Sequence, residues 1–386
     1  MTLQGATPET VRRALDDADP FPGTRGFAGE VDGTLVRDAL GRYPLFVDGD
    51  EWSLPPGDLT DPVPFPAGHA RPADDPDADP DRVWTLPDPA PATDERTAVR
   101  SVRDALAASL DDANEAGGES AAGDADDPDA ADRDDADDTT TAVAFSGGVD
   151  SAVVASRVDG SLYATGFPES HDLAAAREAA RAMDAEADLR VVELSLDDVE
   201  RAVPEVARAT GRTNAMDVGI ALPLYLVAER AAADGHDRLA VGQGADELFG
   251  GYAKVARAPD DPRVEADTVR GARREVLGTL PDQLERDVLA LRGAGVEPVA
   301  PMLDDRVTAA ALSLPGEMLV DDRGERKRAL RLAAREFVPD GVAFRGKKAV
   351  QYGSLVSREL DRLARRAGFK RRMDDHVSQY VAFRTG

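Results

Sequence analysis

The chain has 386 residues, 42% of them hydrophobic, and a formal net charge of −28. That length suffices for two domains. The acidic surface that this charge predicts repels nucleic acid and anionic membranes, so neither is an expected partner. No apolar stretch reaches the ~18 residues of a membrane span, and residues 1–5 lack a signal-peptide pattern. We therefore expect a cytoplasmic protein.

The charged residues have an unusual composition, with 41 Arg against only 5 Lys and an excess of Asp. Because the acidic charge is spread along the whole chain, it favours a halophilic cytoplasm over a local acidic function. The sequence contains no cysteine. This excludes disulfides, Cys-ligated zinc, Fe–S clusters and a thiol nucleophile.

The first part of the chain divides into two segments of different composition. Residues 1–95 are rich in Pro, Gly and Asp, with short apolar runs that predict a small, mainly β domain. Residues 96–140 are predicted to be a connecting segment, with an amphipathic helix over 96–110. Residues 111–138 are acidic and of low complexity, which predicts a disordered linker.

The remaining residues, 141–386, predict a third unit of α/β class. Apolar runs that predict strands alternate with helical patterns, which is typical of a mostly parallel, doubly wound sheet. From about residue 255 onward the patterns are helical and no strand is predicted. The predicted strands are 141–145, 161–167, 189–196 and 238–242, and the predicted helices begin at about 151 and cover 172–185 and 220–233.

A glycine-rich loop follows the first predicted strand of this unit. Residues 146–151 have the sequence Ser-Gly-Gly-Val-Asp-Ser. Two glycines let the backbone approach phosphate oxygens, and the start of the next helix offers unpaired N–H groups to an anion. Asp150 is anionic itself, so we expect it to hold Mg²⁺ that neutralises the phosphates. A turn whose polar residues only cap the helix is the structural alternative.

A second glycine-rich loop, residues 242–252, follows the strand predicted at 238–242. The carboxyl ends of parallel strands meet at one edge of a sheet, so Asp246 could share a magnesium ion with Asp150. The alternative is a tight turn with an exposed acidic pair. The four histidines lack metal-ligand spacing and are expected to be incidental; they are His69, His171, His236 and His376.

The two loops together resemble those of the asparagine synthetases. The first is similar to the Ser-Gly-Gly-x-Asp-Ser loop of the ATP pyrophosphatase superfamily, and the second to that family's Gly-x-Gly-Ala/Ser-Asp-Glu loop. This resemblance covers residues 141 to about 355 and implies a Rossmann-like, adenine nucleotide alpha hydrolase-like fold with a helical C-terminal part. Further similar segments are 297–304 (Glu-Ala-Arg-Val-Pro-Phe-Leu-Asp in the family), 327–331 (Lys-x-x-Leu-Arg) and 345–348 (Arg-x-Lys).

The resemblance implies a carbon–nitrogen ligase. ATP and aspartate would form β-aspartyl-AMP and pyrophosphate, and ammonia would then displace AMP. It assigns catalysis to Lys347, Asp246 and Asp150, with Mg²⁺ held by the two aspartates and Lys347 stabilising charge at the α-phosphate. The ATP and pyrophosphate contacts that it implies are Ala144, Ser146, Gly147, Gly148, Asp150, Ser151, Thr165, Gly242 and Lys347. The implied contacts with the acceptor acid are Asp217, Gln243 and Glu297. Residues 214–223 are interpreted as the specificity region, and an ordinary loop entering a helix is the alternative.

The chain departs from the family in its N-terminal part. The family hydrolyses glutamine with a cysteine at position 2, where this chain has Thr2. Residues 34–69 still resemble the end of that domain. We therefore expect residues 1–95 to be a glutaminase-like (Ntn-type) remnant without glutaminase activity, and nitrogen to come from free ammonia or a separate ammonia-supplying partner.

Two further departures concern the acceptor. Gln243 stands where the family has Glu, and Val299 where it has Arg. A ligase that adenylates another acid, and a nucleotide-binding protein without catalysis, therefore stay open as alternatives. Sulfur transfer to tRNA, another use of this loop, is disfavoured by the acidic surface and the missing cysteines.

Overall fold

A computed structural model describes residues 3–115, 140–258, 260–346 and 354–386. The linker predicted at 111–138 lies mostly outside these residues, as do Thr2 and Lys347. Every element given below belongs to the described part of the chain.

The N-terminal part is mainly β, as the turn-rich sequence predicts. Its strands form two antiparallel sheets, with orders β1-β2-β3-β7-β8 and β5-β4-β6. The elements are β1 (Leu3–Gln4), α1 (Pro8–Asp16), β2 (Ala28–Val31), β3 (Thr34–Arg37), β4 (Phe46–Asp48), β5 (Glu51–Ser53), a 3₁₀ turn (Pro56–Asp58), β6 (Val63–Pro64), β7 (His69–Pro72) and β8 (Asp81–Arg82).

The second unit is built on a five-stranded parallel sheet of order β11-β10-β9-β12-β13. Its strands are β9 (Thr141–Ala144), β10 (Leu162–Gly166), β11 (Leu189–Glu193), β12 (Arg238–Ala240) and β13 (Glu297–Val299). The helices up to β13 are α2 (Glu95–Glu115), α3 (Val149–Ala155), α4 (His171–Ala182), α5 (Leu196–Thr210), α6 (Ala215–Ala233), α7 (Ala245–Leu248), α8 (Ala253–Ala256), α9 (Val269–Gly278) and α10 (Leu280–Gly293). After β13 come a 3₁₀ turn (Pro301–Leu303), α11 (Asp305–Leu312), α12 (Gly316–Leu319), α13 (Arg328–Ala334), α14 (Asp340–Ala343), α15 (Val356–Arg366) and α16 (His376–Thr385).

Both faces of this sheet are covered, so the doubly wound architecture is confirmed. Successive side chains of a strand point to opposite faces. Val143 and Leu162 accordingly belong to a core that includes residues of α2, whereas Ala142 and Tyr163 belong to a core with residues of α6 and α10. Strands buried on both faces explain why their sequences are continuously apolar.

Strand β13 was not predicted, and the expectation of no strand after residue 255 is wrong. The strand is three residues long, contains Pro298 and lies at the edge of the sheet. Proline is tolerated on an edge strand, since one side needs no hydrogen-bond donor. So short a segment carries too few residues for a strand pattern to be detectable.

Helix α2 extends further than predicted, into the acidic segment that begins at residue 111. Ala113 is fully buried, and the Asn114 side chain donates to the Arg157 carbonyl and accepts from the Asp159 amide. Residues 111–115 are therefore helical, because packing and hydrogen bonds outweigh their polar composition.

The N-terminal part contacts the second unit through buried ion pairs. Arg42 lies between Asp38 (2.8 Å) and Asp305 (2.7 Å), and all three side chains are almost fully buried. Asp305 also accepts the backbone amide of Thr24 at 2.7 Å. No helix in the described part of the chain is long and apolar enough to cross a membrane.

Candidate active site

The sheet topology defines where a ligand would bind. From β9 the chain proceeds outward through β10 and β11, and then returns to the other side of β9 as β12. Open α/β sheets bind ligands outside the carboxyl ends of strands where the order reverses in this way. The loops that follow β9 and β12 are residues 145–148 and 241–244, so both glycine-rich loops meet at this switch point.

The conformation of the first loop depends on Gly147 and on a hydrogen bond between its two serines. Gly147 has a positive φ of 71°, and a Cβ there would collide with the Ala175 backbone carbonyl. Ser151 Oγ accepts the Ser146 amide at 3.1 Å and lies 3.2 Å from Ser146 Oγ. The two serines of the sequence pattern therefore bond to each other across the turn.

The second loop packs directly on the first. A Cβ on Gly242 would lie 2.9 Å from Asp150 Cβ and 3.1 Å from the Ser151 amide nitrogen. At Gly251, a Cβ would collide with the Asp246 carboxylate. Both positions need glycine because backbone and side chains approach too closely for any larger residue.

Asp150 and Asp246 converge on one cation, the ammonium of Lys327. Lys327 Nζ lies 2.8 Å from both Asp150 carboxylate oxygens and 2.7 Å from Asp246 Oδ1. Burial alone would lower the pKa of Lys327, but the two carboxylates outweigh it and raise the pKa. The two predicted magnesium ligands therefore face a single cationic position.

The donor set at this position suits Mg²⁺. Carboxylate oxygens are its preferred protein ligands, and it commonly takes one or two of them together with substrate phosphates. Within the described ranges, no group of three or more His, Cys, Asp or Glu side chains is arranged to hold a metal. Asp150 and Asp246 could therefore supply two oxygen ligands to a magnesium ion.

A cavity of about 580 Å³ opens beside the first loop. Arg331 donates to the backbone carbonyls of two residues that line the cavity, Arg326 (2.8 Å) and Arg345 (3.1 Å). His171 also lines the cavity, although no role is predicted for it from sequence. The lining residues are Ser146, Gly147, Gly148, His171, Asp172, Ala174, Ala175, Glu178, Arg326, Arg345 and Gly346. The cavity thus combines two arginines and a glycine loop, which suit an anionic ligand, with two acidic residues, of which Glu178 pairs with Arg345 at 3.3 Å.

Glu247, next to Asp246, is buried and accepts a 2.5 Å hydrogen bond from the Tyr252 hydroxyl. Burial first, and the neighbouring Asp246 charge second, raise the pKa of Glu247 to about 7. The two acidic residues of the second loop therefore have different partners: Asp246 contacts Lys327, and Glu247 accepts a hydrogen bond from Tyr252.

Two of the predicted acceptor contacts, Asp217 and Gln243, are joined by a chain of buried charges. Gln243 Nε2 donates to Asp287 at 2.5 Å, and Asp287 accepts from Arg286 Nε at 2.7 Å. Arg286 then donates to Asp217 at 2.9 Å. The chain continues to the N-terminal part, because Arg212 pairs with Asp217 (3.2 Å) and with Glu285 (3.2 Å), and Glu285 pairs with Arg37 (3.7 Å).

The third predicted acceptor contact, Glu297, lies elsewhere. It begins β13 and is in register with Arg238, the first residue of β12, so it lies at the amino edge of the sheet. Its carboxylate pairs with Arg292 at 2.7 Å. The structure therefore does not bring Glu297 together with Asp217 and Gln243.

The remaining predicted nucleotide contacts lie on the sheet itself. Ala144 ends β9, and Thr165 is the penultimate residue of β10 with its hydroxyl directed at the Val192 carbonyl (3.3 Å). Both lie toward the carboxyl edge, on the side of the loops. Lys347, the predicted catalytic cation, falls outside the described residues.

Three cationic residues of the site were not predicted as site residues: Lys327, Arg326 and Arg345. The first and last belong to segments already noted for their family resemblance. Lysine is rare in this chain, with five in all. A lysine within the Lys-x-x-Leu-Arg segment could therefore have been predicted as a site residue. Arg326 had no comparable signal, since Arg is the usual surface cation here.

Fold and site together define an α/β protein with a phosphate-type loop and two carboxylates at the switch point of a parallel sheet. Comparison with known proteins then identifies the family. The asparagine synthase family model matches residues 129–292 and 259–381. The chain therefore belongs to the asparagine synthase family.

Similar proteins carry the same family name. A Methanocaldococcus jannaschii protein, provisionally named a glutamine-hydrolysing asparagine synthetase, is 32% identical over 268 residues, covering 60% of this chain and 49% of its own length. Asparagine synthetase B of Escherichia coli is 25% identical over 236 residues (56% and 42%). The human asparagine synthetase is 28% identical over 231 residues (56% and 40%). The chain thus matches less than half the length of these relatives.

Proposed function

We propose that this chain is an amide-forming ligase of the asparagine synthase type. An aspartate carboxylate oxygen attacks the α-phosphorus of ATP, and pyrophosphate leaves. Ammonia then attacks the acyl carbon of the adenylate, AMP leaves, and the added nitrogen loses a proton to give asparagine. The observation that carries the proposal is the convergence of Asp150 and Asp246, from two separate loops, on one cationic position.

The nucleotide would bind between the two loops and the adjoining cavity. Backbone amides at Gly147 and Gly148 approach the departing diphosphate without interference from a side chain. Arg326 and Arg345 line the same cavity and add charge-assisted donors to phosphate oxygens. Binding and orientation there would hold the α-phosphorus against the incoming carboxylate.

Asp150 and Asp246 would hold Mg²⁺, which when bound neutralises phosphate charge. The Lys327 ammonium pairs with both carboxylates, of which Asp150 is buried and Asp246 is about half exposed. This pairing stabilises the buried Asp150 carboxylate while the nucleotide is absent. Lys347 remains our predicted cation for the α-phosphate, on the basis of the family resemblance.

The nitrogen source is proposed to be ammonia, free or delivered by a separate partner. The chain has no cysteine to act on glutamine. Its N-terminal part retains the small β sheets and is tied to the second unit through Arg42 and Asp305. We propose that this part supports the ligase and does not hydrolyse glutamine.

One observation favours a second candidate, a ligase that adenylates another acid. Val299, where the family has Arg, is a buried residue of β13 in the hydrophobic core. A carboxylate-binding guanidinium is therefore absent at this position. The nucleotide chemistry would be the same, and only the acceptor would differ.

The test is pyrophosphate release by the purified chain with ATP, Mg²⁺ and ammonium, one acid at a time, in molar KCl. We expect release with aspartate and formation of asparagine. Asp150→Asn should abolish release, whereas Asp322→Asn, an exposed control with the same charge change, should not. Release with a different acid supports the second candidate. ATP binding without release for any acid would contradict both, and amide formation from glutamine alone would contradict the proposed nitrogen source.

A further inference from the structure

Gln243, a predicted acceptor contact, is in contact with the buried Asp287. Gln243 follows β12 in the second loop, whereas Asp287 projects from helix α10. They are joined by a 2.5 Å hydrogen bond from Gln243 Nε2 to Asp287 Oδ2. The other Asp287 oxygen accepts from Arg286 Nε at 2.7 Å, and Asp287 is 6% exposed. The carboxylate is therefore held on both sides.

This contact fixes the orientation of the Gln243 amide. A carboxylate accepts hydrogen bonds and repels a carbonyl oxygen, so only the amide nitrogen can face Asp287. The carbonyl oxygen, Oε1, must then be directed away from Asp287. Among the residues that the structure describes, none donates a hydrogen bond to this oxygen, and Gln243 is only half-buried. An oriented neutral acceptor is thus presented at the carboxyl edge of the sheet.

The pair is also matched in charge. The family that this chain resembles has Glu at the position of Gln243. Here, a Glu would place two carboxylates at hydrogen-bond distance in a buried setting, where both cannot remain ionised. Gln243 is therefore suited to its neighbour: the loop carries the neutral group, and helix α10 carries the charge.

We propose that Asp287 is a positioning residue that locks the Gln243 amide, so that its carbonyl oxygen receives an N–H of the acceptor's amino group. This inference rests on the proposed function and adds to it the residues that recognise the amino group of the acceptor. A carbonyl oxygen attracts an ammonium or amine and repels a carboxylate. A dicarboxylic acid of the same length without the amino group would lose this contact.

Four variants test the proposal: Gln243→Glu, Asp287→Asn, the double variant that combines them, and Gln243→Met. The measurement is KM for the acid and for ATP, with kcat, from pyrophosphate release. Each single change should raise KM for aspartate on the order of 10- to 100-fold, since a buried hydrogen-bonding group loses its partner or faces a like charge. KM for ATP should change little. The double variant should recover to within a few-fold of wild type, because the amide introduced on helix α10 can donate to the carboxylate introduced on the second loop.

Controls separate this outcome from misfolding. Gln379→Glu adds the same charge at an exposed site and should leave all constants unchanged. Gln243→Met adds no charge and keeps the side-chain length, so it tests the carbonyl in a folded protein. For wild type, replacing aspartate by succinate should raise KM as much as Gln243→Met does.

A double variant no better than the worse single variant, or an unchanged KM for aspartate in Gln243→Met, would overturn the proposal. A shift in the KM for ammonia alone would also overturn it, since the carbonyl would then serve the nucleophile. The absence of pyrophosphate release by wild type would instead contradict the proposed function itself.

Discussion

The two ends of the candidate site are held in place by different means. At the phosphate end, backbone geometry dominates: Gly147, Gly242 and Gly251 allow close approaches, and a single lysine joins the two loops. At the proposed acceptor end, side chains dominate, in a network of hydrogen bonds and ion pairs from Gln243 to Arg37. Backbone-based sites tolerate little change in shape, whereas charge networks tolerate compensated exchanges. We therefore expect single substitutions at the phosphate end to strongly reduce function, whereas paired substitutions that preserve charge should be tolerated at the acceptor end.

The largest effect is expected for Lys327→Met. Removing this ammonium leaves the buried Asp150 carboxylate without its cationic partner, a change that costs about 3–5 kcal/mol for a buried ion pair. Pyrophosphate release should fall on the order of 10²- to 10³-fold. Millimolar Mg²⁺ should raise the Tm of the variant more than that of wild type, because the same carboxylates become available to the metal.

Lys370→Met, at an exposed lysine, is the control for Lys327→Met and should behave as wild type. An equal Mg²⁺ effect on the Tm of wild type and of Lys327→Met would show that these carboxylates do not bind the metal.

A smaller effect, on the order of 10²-fold in pyrophosphate release, is expected for Gly147→Ala. The new Cβ would collide with the Ala175 carbonyl, and the left-handed backbone adds a cost of about 1–2 kcal/mol. The matched control is Gly211→Ala, which has a similar φ of 67° but open space around it. Gly211→Ala should lose about 1 kcal/mol of stability with full activity. Equal activity losses in both variants would mean that backbone strain alone is responsible.

The smallest effects are expected in the pH dependence of stability at the acceptor end. Burial raises the pKa of Glu285 despite Arg37 and Arg212. Burial acts the same way on Asp217, but its hydrogen bonds with Asn214 and Arg286 outweigh it and lower the pKa. Glu285 thus stabilises the fold most at acid pH, and this contribution falls as pH rises from about 4.3 through the raised pKa. The contribution of Asp217 is full above pH about 3.9 and is lost below it.

Urea unfolding of Glu285→Gln and Asp217→Asn between pH 3 and 7, at constant salt, measures both contributions. The difference in the free energy of unfolding, wild type minus variant, should decrease with rising pH for Glu285→Gln and increase for Asp217→Asn. Neither slope should exceed about 1.4 kcal/mol per pH unit. Slopes of the same sign would mean that the two carboxyls do not differ in their electrostatic environments.

The same contrast explains what the sequence could predict. The parallel sheet and both loops were predictable because apolar strands and glycine-rich turns are local patterns. The association of Asp150 with Asp246 followed from the rule that strand ends meet. Strand β13 was missed because its three residues lie on an edge and include Pro298.

The acceptor end was not predictable in the same way. Asp287 and Arg286 belong to α10, a helix whose charges resemble a solvated face, and their burial depends on packing against distant segments. Lys327 likewise meets Asp150 across 177 residues of sequence. Side-chain pairing over such separations leaves no periodic pattern that a single sequence displays.

The most direct measurement is the identity of the products formed from ATP by the purified chain. Incubation with aspartate, ammonium and Mg²⁺ in molar KCl, followed by ³¹P NMR, distinguishes cleavage between the α- and β-phosphates from cleavage between the β- and γ-phosphates. We expect AMP and pyrophosphate in equal amounts, matched by asparagine and absent in Asp150→Asn. The appearance of ADP and inorganic phosphate as the products of amide formation would contradict the assignment of these two loops to the departing diphosphate.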